Sequence, residues 1–168
     1  MSFVNILERP GIERQGLCFT VGCPGAGKST WAAANRTDET LVVEADAFRI
    51  ALFGSKQAYF DHPSDRRTRS RVLTSTALGA MRNWSPGRFL ISNTNVRPDL
   101  AAPYMNFALR NGLPVYAVVF DAPLELLLER NRLRPENDFV PPKRIIEMHE
   151  EMQNPDNQWW KAITHEII

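Results

Sequence analysis

Disulfides, metal clusters, membrane spans and bulk charge are all scarce in this chain of 168 residues. Its two cysteines, Cys18 and Cys23, have no second pair with which to build a zinc site, so neither a covalent staple nor a structural metal is expected, and a reducing cytoplasm is the natural setting. His62, His149 and His165 are scattered and form no metal or nucleophile constellation. No apolar run approaches the ~18 residues of a spanning helix, and Met1-Ser2-Phe3-Val4-Asn5 lacks a basic start followed by a long apolar core. Membrane insertion and secretion are therefore not expected. A formal net charge of +1 supplies no global field to draw in a nucleic acid. Repeats, low-complexity tracts and linkers are absent as well. One domain over residues 1–168 is expected, large enough to bury roughly two thirds of its unfolded surface.

Against these absences stands one dense motif. Gly22-Cys23-Pro24-Gly25-Ala26-Gly27-Lys28-Ser29 fits a glycine, four free positions and then Gly-Lys-Ser, the pattern of a phosphate-binding loop for a nucleoside triphosphate. Several backbone N–H groups must approach a phosphate closely, and glycines let the chain fold that tightly. Lys28 supplies a point charge to the outer phosphates, and the Ser29 hydroxyl is placed to ligate magnesium. The flanks agree: Gly16-Leu17-Cys18-Phe19-Thr20-Val21 is strand-prone, and Thr30-Trp31-Ala32-Ala33-Ala34 favours a helix whose start turns unpaired N–H groups and a positive dipole end toward the phosphates. Arginine outnumbers lysine 16 to 4, which suits a protein that grips phosphate oxygens but fits a codon bias equally.

Strand and helix patterns alternate along the rest of the chain. Leu41-Val42-Val43-Glu44 reads as a second strand, with a helix over 46–53 stopped by Gly54. Asp61-His62-Pro63-Ser64 is expected to open a longer helix through Arg82. A third strand covers 88–92, its helix runs from about Pro98 to Arg110, and Asn111-Gly112 ends it. Pro114 to Phe120 is a fourth strand of the doubly buried kind, followed by a helix from Leu124 to Arg132, a polar segment at 134–138, and a helix from Pro141-Pro142 through Met152. The tail from Trp159 to Ile168 fits a last strand or a terminal helix. The order predicts an α/β fold, three-layer α/β/α with a central parallel sheet, and the polar segment at about 130–140 reads as an arginine-bearing lid.

In such sheets ligands sit beyond the carboxyl ends of the strands, so polar residues just after each strand are the site candidates. After the second strand these are Asp46 and Arg49, one face of a helix start, able to take a proton from an attacking hydroxyl or hold a magnesium-bound water, and to bind an acceptor phosphate; a surface ion pair is the plain alternative. After the third come Asn93, Thr94 and Asn95, fit to orient the acceptor or magnesium waters, or simply to form a turn. After the fourth come Asp121 and then Arg130, Arg132 and Arg134, which read as lid arginines that offset charge on a moving phosphoryl group, or as a solvated helix end. Arg66, Arg67, Arg69 and Arg71 suggest a solvated face or a groove for a nucleic-acid backbone. Trp159-Trp160 fits a core anchor better than a base-stacking platform.

Together, Phe19 through Ala32, Asp46-Ala47-Phe48-Arg49, Ile91-Ser92-Asn93-Thr94-Asn95, Val119-Phe120-Asp121 and Glu129-Arg130-Asn131 resemble the kinase domain of the 5′-polynucleotide kinases of T-even phage type, from Gly16 to about Met152. The resemblance implies the P-loop kinase form of the α/β/α fold, and transfer of the γ-phosphate of ATP, with Mg2+, to the 5′-hydroxyl of DNA or RNA. It makes Asp46 the general base and Arg49 the ligand of the phosphate 3′ to the acceptor nucleotide. Arg134 would stabilise the transferring group, Arg130 would lie over the nucleotide, and Val140 would pack on the acceptor base. Gly22, Cys23, Pro24, Gly25, Ala26, Gly27, Lys28, Ser29 and Thr30 would hold ATP, Ser29 would ligate the metal, and Thr94 and Asn95 would join the acceptor side. Two departures stand out: Asn93 replaces the family's aspartate, and the phage enzyme's phosphatase domain is absent from the chain.

A kinase of nucleosides or nucleoside monophosphates is the alternative, because fold alone does not fix the acceptor. A guanine-nucleotide switch is disfavoured by the lack of Asn-Lys-x-Asp and Asp-x-x-Gly elements.

Overall fold

The computed structural model describes residues 15–168; Met1-Ser2-Phe3-Val4-Asn5, read above for a missing signal, lies outside the described residues. Five strands form one sheet in the order β2-β3-β1-β4-β5, every pairing parallel. They are β1 (Gly16–Gly22), β2 (Thr40–Val43), β3 (Arg88–Ile91), β4 (Val115–Phe120) and β5 (Thr164–Ile167). Helices cover both faces, giving the expected three-layer α/β/α arrangement of P-loop kinases. The helices are α1 (Lys28–Asn35), α2 (Ala45–Phe53), α3 (Lys56–Asp61), α4 (Arg66–Arg82), α5 (Pro98–Arg110), α6 (Leu124–Arg132) and α7 (Pro142–Gln153). Among the described residues no helix is long and apolar enough to cross a membrane.

All seven residues of β1 are buried, because β1 lies between β3 and β4 and beneath helices on both faces. Its end must be glycine. A Cβ on Gly22 would sit 2.9 Å from the Phe120 carbonyl of β4, and φ there is +152°. The strand can therefore approach β4 closely just where the phosphate loop departs. Phe19, Leu90, Ile91, Leu127 and Ile145 are fully buried and join the sheet to its helices.

The expected start of the long helix is corrected, and the open reading of the tail is decided. The long helix α4 starts at Arg66 rather than at 61–64, because the Asp65 carboxylate accepts the Thr68 N–H at 2.9 Å and so takes the cap. The residues before it form α3, unseen in the sequence, whose Ser55 hydroxyl accepts the Ala58 N–H at 2.9 Å. The tail is resolved as a strand: β5 pairs with β4 from Tyr116↔Thr164 to Val119↔Ile167. Trp160, 2% exposed, is buried just ahead of it, while Trp159 packs its ring 4.9 Å from Phe19 and donates its indole N–H to the Asn95 carbonyl at 2.9 Å. Both tryptophans thus anchor the tail.

Candidate active site

The loop from Cys23 to Gly27 leaves the middle strand and enters α1 through Gly27 in the left-handed region, φ +102°. Within the loop the Ala26 N–H bonds back to the Cys23 carbonyl at 3.2 Å, while the first-turn amides of α1 lack partners inside the helix. α6 abuts the loop. A Cβ on Gly25 would lie 3.4 Å from the Leu127 carbonyl, and Arg130 Nη1 donates to the Gly25 carbonyl at 3.1 Å.

Lys28 turns its amine back onto its own loop, donating to the Cys23 carbonyl at 2.7 Å. Burial above all, and then the nearby Arg134 guanidinium, pull its pKa down to about 8, against the opposing pull of the Glu44 carboxylate. The arginine is near enough for its charge to oppose that of the buried lysine. The Cys23 thiol is pushed up to about 11 by burial, so at neutral pH it is a neutral thiol and its contribution to the loop is its backbone.

At the other end of the loop, Ser29 Oγ donates to Glu44 Oε1 at 3.3 Å. β2 stops at Val43, so Glu44 is the first residue past its carboxyl end. From the apolar run alone Glu44 reads as the last residue of the strand, so only the structure sets it at the strand's end. Asn93, at the end of the neighbouring strand, supports the start of α2. Its Oδ1 accepts the Ala45 N–H at 2.7 Å, fixing the first residue of α2. The Thr94 carbonyl accepts the Gly22 N–H at 2.9 Å, which places its backbone against the start of the loop.

Asp46 lies in the first turn of α2 and is bracketed by two cations. Arg49 Nη1 pairs with its Oδ1, and Lys56 Nζ lies 3.1 Å from its Oδ2. Lys56 also pairs with Asp138, which belongs to the 3-10 turn Glu136–Asp138 beyond α6. Slight burial works against the Lys56 charge, but the hydrogen bonds to Asp138 and Asp46 outweigh it and hold its pKa above the ordinary lysine value. The same bond holds Asp138 below the usual carboxylate range. Arg134 Nη1 donates to the Asp138 carbonyl at 3.0 Å. One run of contacts thus joins Arg134, Asp138, Lys56, Asp46 and Arg49. The Arg49 guanidinium lies 5.0 Å from the Tyr59 ring centroid and 5.3 Å from that of Phe60, and its Nε is buried without a hydrogen-bond partner.

The segment carrying Arg134 is closed at its base by Asn131, which is 1% exposed and exchanges two hydrogen bonds with the Val140 backbone, at 2.7 and 3.1 Å. Val140 is half-buried beside it, and Arg132 is exposed. Asn95 is corrected. It is 1% exposed, and its amide donates to the Thr20 and Ile91 carbonyls at 2.9 and 3.1 Å, so its side chain braces strand ends and does not face an acceptor. Arg69 is likewise drawn inward, to the His62 and Ser64 carbonyls, while Arg66, Arg67 and Arg71 remain exposed.

Residues 17–155 match the family described as an AAA domain, AAA_33. The chain belongs to this AAA_33 family. Its P-loop kinase-like fold recurs in a chain of the Pnkp1/Rnl/Hen1 RNA repair complex, at 24% identity and a TM-score of 0.62, over 88% of the AAA_33 chain and 45% of the other. It recurs also in the Deinococcus radiodurans tunicamycin resistance protein, at 18% identity and a TM-score of 0.56, over 91% and 86%. A second Pnkp1/Rnl/Hen1 structure matches at 24% identity and a TM-score of 0.51, over 73% and 41%. The AAA_33 chain therefore spans less than half the length of the RNA-repair chains that it resembles.

The site residues fit a triphosphate with magnesium. A buried lysine amine, already destabilised by burial, gains from an anion beside it, and the Ser29 hydroxyl beside the Glu44 carboxylate forms an oxygen-rich corner suited to a hard divalent cation.

Proposed function

We propose that this chain is an ATP-dependent kinase that transfers the γ-phosphate to the 5′-hydroxyl of DNA or RNA. The observation that carries it is the bracketing of Asp46 between Arg49 and the Lys56 that reaches Asp138. A carboxylate with an arginine one helical turn on suits an acceptor that brings both a hydroxyl and a phosphate. Likeness in fold to a chain of an RNA repair complex supports a nucleic-acid acceptor.

In this mechanism Lys28 and the loop amides hold the phosphates, and Arg130 braces the loop through Gly25. Arg49 takes the phosphate on the 3′ side of the acceptor nucleotide, and Val140 packs on its base. Asp46 removes the proton of the 5′-hydroxyl as that oxygen forms its bond to the γ-phosphorus and the bond to the bridging oxygen breaks, releasing ADP. Arg134, carried by a lid at about 130–140, offsets charge on the moving group. Thr94 frames the loop from the third strand. Magnesium, when bound with the nucleotide, would be held by Ser29 and would neutralise phosphate charge.

Transfer of labelled γ-phosphate to an oligonucleotide with a free 5′-hydroxyl, compared with free nucleosides and nucleoside monophosphates, tests the acceptor. Oligonucleotides are expected to be the faster acceptors. Asp46→Asn should lower kcat by about 10²–10⁴-fold and leave ATP affinity unchanged. ATP binding without transfer to any oligonucleotide would overturn the reading. A small-molecule acceptor is favoured by one observation: the neighbour matched over most of both chains is named for tunicamycin resistance and not for a nucleic acid. Faster turnover of a free nucleoside or nucleotide would establish that alternative.

A further inference from the structure

We infer that Glu44 supplies the carboxylate of the divalent-cation site beside the phosphate loop, one strand away from where the resemblance leads one to look for it. The inference rests on the kinase reading, because it presupposes a metal-bound nucleotide on the loop.

A hard divalent cation takes oxygen ligands, and its bound waters turn their hydrogens outward, so the surrounding protein must offer acceptors, preferably anionic ones. The loop itself provides the Ser29 hydroxyl. The end of β3, where the resembling kinases carry an aspartate, provides only Asn93, and that side chain is neutral. Its Oδ1 already accepts the Ala45 N–H at 2.7 Å, and its backbone carbonyl accepts from Thr20 Oγ1 at 3.2 Å. The remaining polar atom, Nδ2, is a donor and cannot serve a cation or the outward hydrogens of its waters.

Glu44 meets the requirement. β2 pairs in parallel with β3, Val43 opposite Ile91, and the Val43 carbonyl accepts the Ser92 N–H at 2.9 Å. Glu44 therefore leaves the sheet at nearly the same level as Asn93, one strand over. Its Oε1 already accepts from Ser29 Oγ, and the residue is half-buried, shielded enough to act at short range and open enough to meet a ligand. Its charge also acts on Lys28, the residue before Ser29. Asn93 retains the other duty of that strand end, holding the first residue of α2 and with it Asp46. The two tasks are divided between neighbouring strands.

The test measures Mn2+ binding to the complex of the full chain with a non-hydrolysable ATP analogue, by electron paramagnetic resonance. Metal-free binding of the same analogue is measured in chelator. Glu44→Gln keeps the shape and can still accept from Ser29. It is expected to weaken Mn2+ binding by about 10–100-fold and to leave metal-free nucleotide binding unchanged. Glu44→Asp should retain part of the metal affinity. Asn93→Asp, whose carboxylate can still accept the Ala45 N–H, should recover metal binding when added to Glu44→Gln. Wild-type metal affinity in Glu44→Gln, an equal loss of metal-free nucleotide binding, or no recovery in the double variant would each overturn the assignment. A wild-type chain that binds no nucleotide would instead overturn the kinase reading beneath it.

Discussion

Lys28 shows how burial and charge act on a single group. Because its pKa falls from the ordinary lysine value to about 8, the folded chain binds fewer protons than the unfolded one between about pH 8 and 10.5, so across that window stability rises with pH. Below about pH 8 the buried charge is fully present and unfavourable. A triphosphate bound beside Lys28 would reverse that pressure and draw the proton back. Binding of the magnesium-bound nucleotide, whose phosphates are already ionised, is expected to take up more protons at about pH 9 than near pH 6.5, as read by calorimetry in buffers of different ionisation enthalpy. Lys28→Arg, which keeps its proton throughout, should bind without that uptake. Equal uptake at both pH values would show that Lys28 is not the group that meets the phosphates.

Elements bring together what single residues cannot. α3, only six residues long, exists because Ser55 caps it directly after Gly54 ends α2 at φ +85°. It sets Lys56 between Asp46 and Asp138, and Asp138 in turn receives Arg134. The candidate base and the proposed lid are thereby joined. Exposed ion pairs contribute only about 0–1 kcal/mol to stability, so the consequence is expected in rate and not in melting temperature. Lys56→Met and Asp138→Asn should each lower kcat by about tenfold, and the double variant should fall no further than either single one. Label transfer at saturating ATP measures this cycle. Strictly additive losses would mean that the two residues act apart. The order of strands and helices was legible because each carries a continuous apolar run or a stop signal of its own, as with Val115–Phe120 and the Asn111-Gly112 end of α5. α3 was not, since six residues show too little periodicity to be read.

For the whole molecule, β5 closes one side of the sheet, and its docking depends on residues outside the strand. Three of its four positions are exposed, so pairing with β4 alone gives little apolar burial. Trp160 supplies it. Trp160→Ala is expected to destabilise the fold by about 3–5 kcal/mol, seen as a lower denaturant midpoint, whereas an exposed change such as His165→Ala should stay within about 0.5 kcal/mol. Comparable effects of the two would mean that the tail is held by its strand pairing and not by its anchor.

The sequence by itself determined the glycine-rich loop with Lys28 and Ser29 at its end, and the alternation of strands and helices that makes a parallel sheet. These depend on neighbours along the chain, whose spacing carries the geometry. Tertiary structure decided the rest. It set the strand order β2-β3-β1-β4-β5 and turned Asn95 inward. It also placed Glu44 against Ser29 and joined Lys56 to Asp138 across 82 positions of sequence. Contacts of that kind arise only when distant segments are packed on one sheet, and no local pattern of polarity records which carboxylate will face which cation.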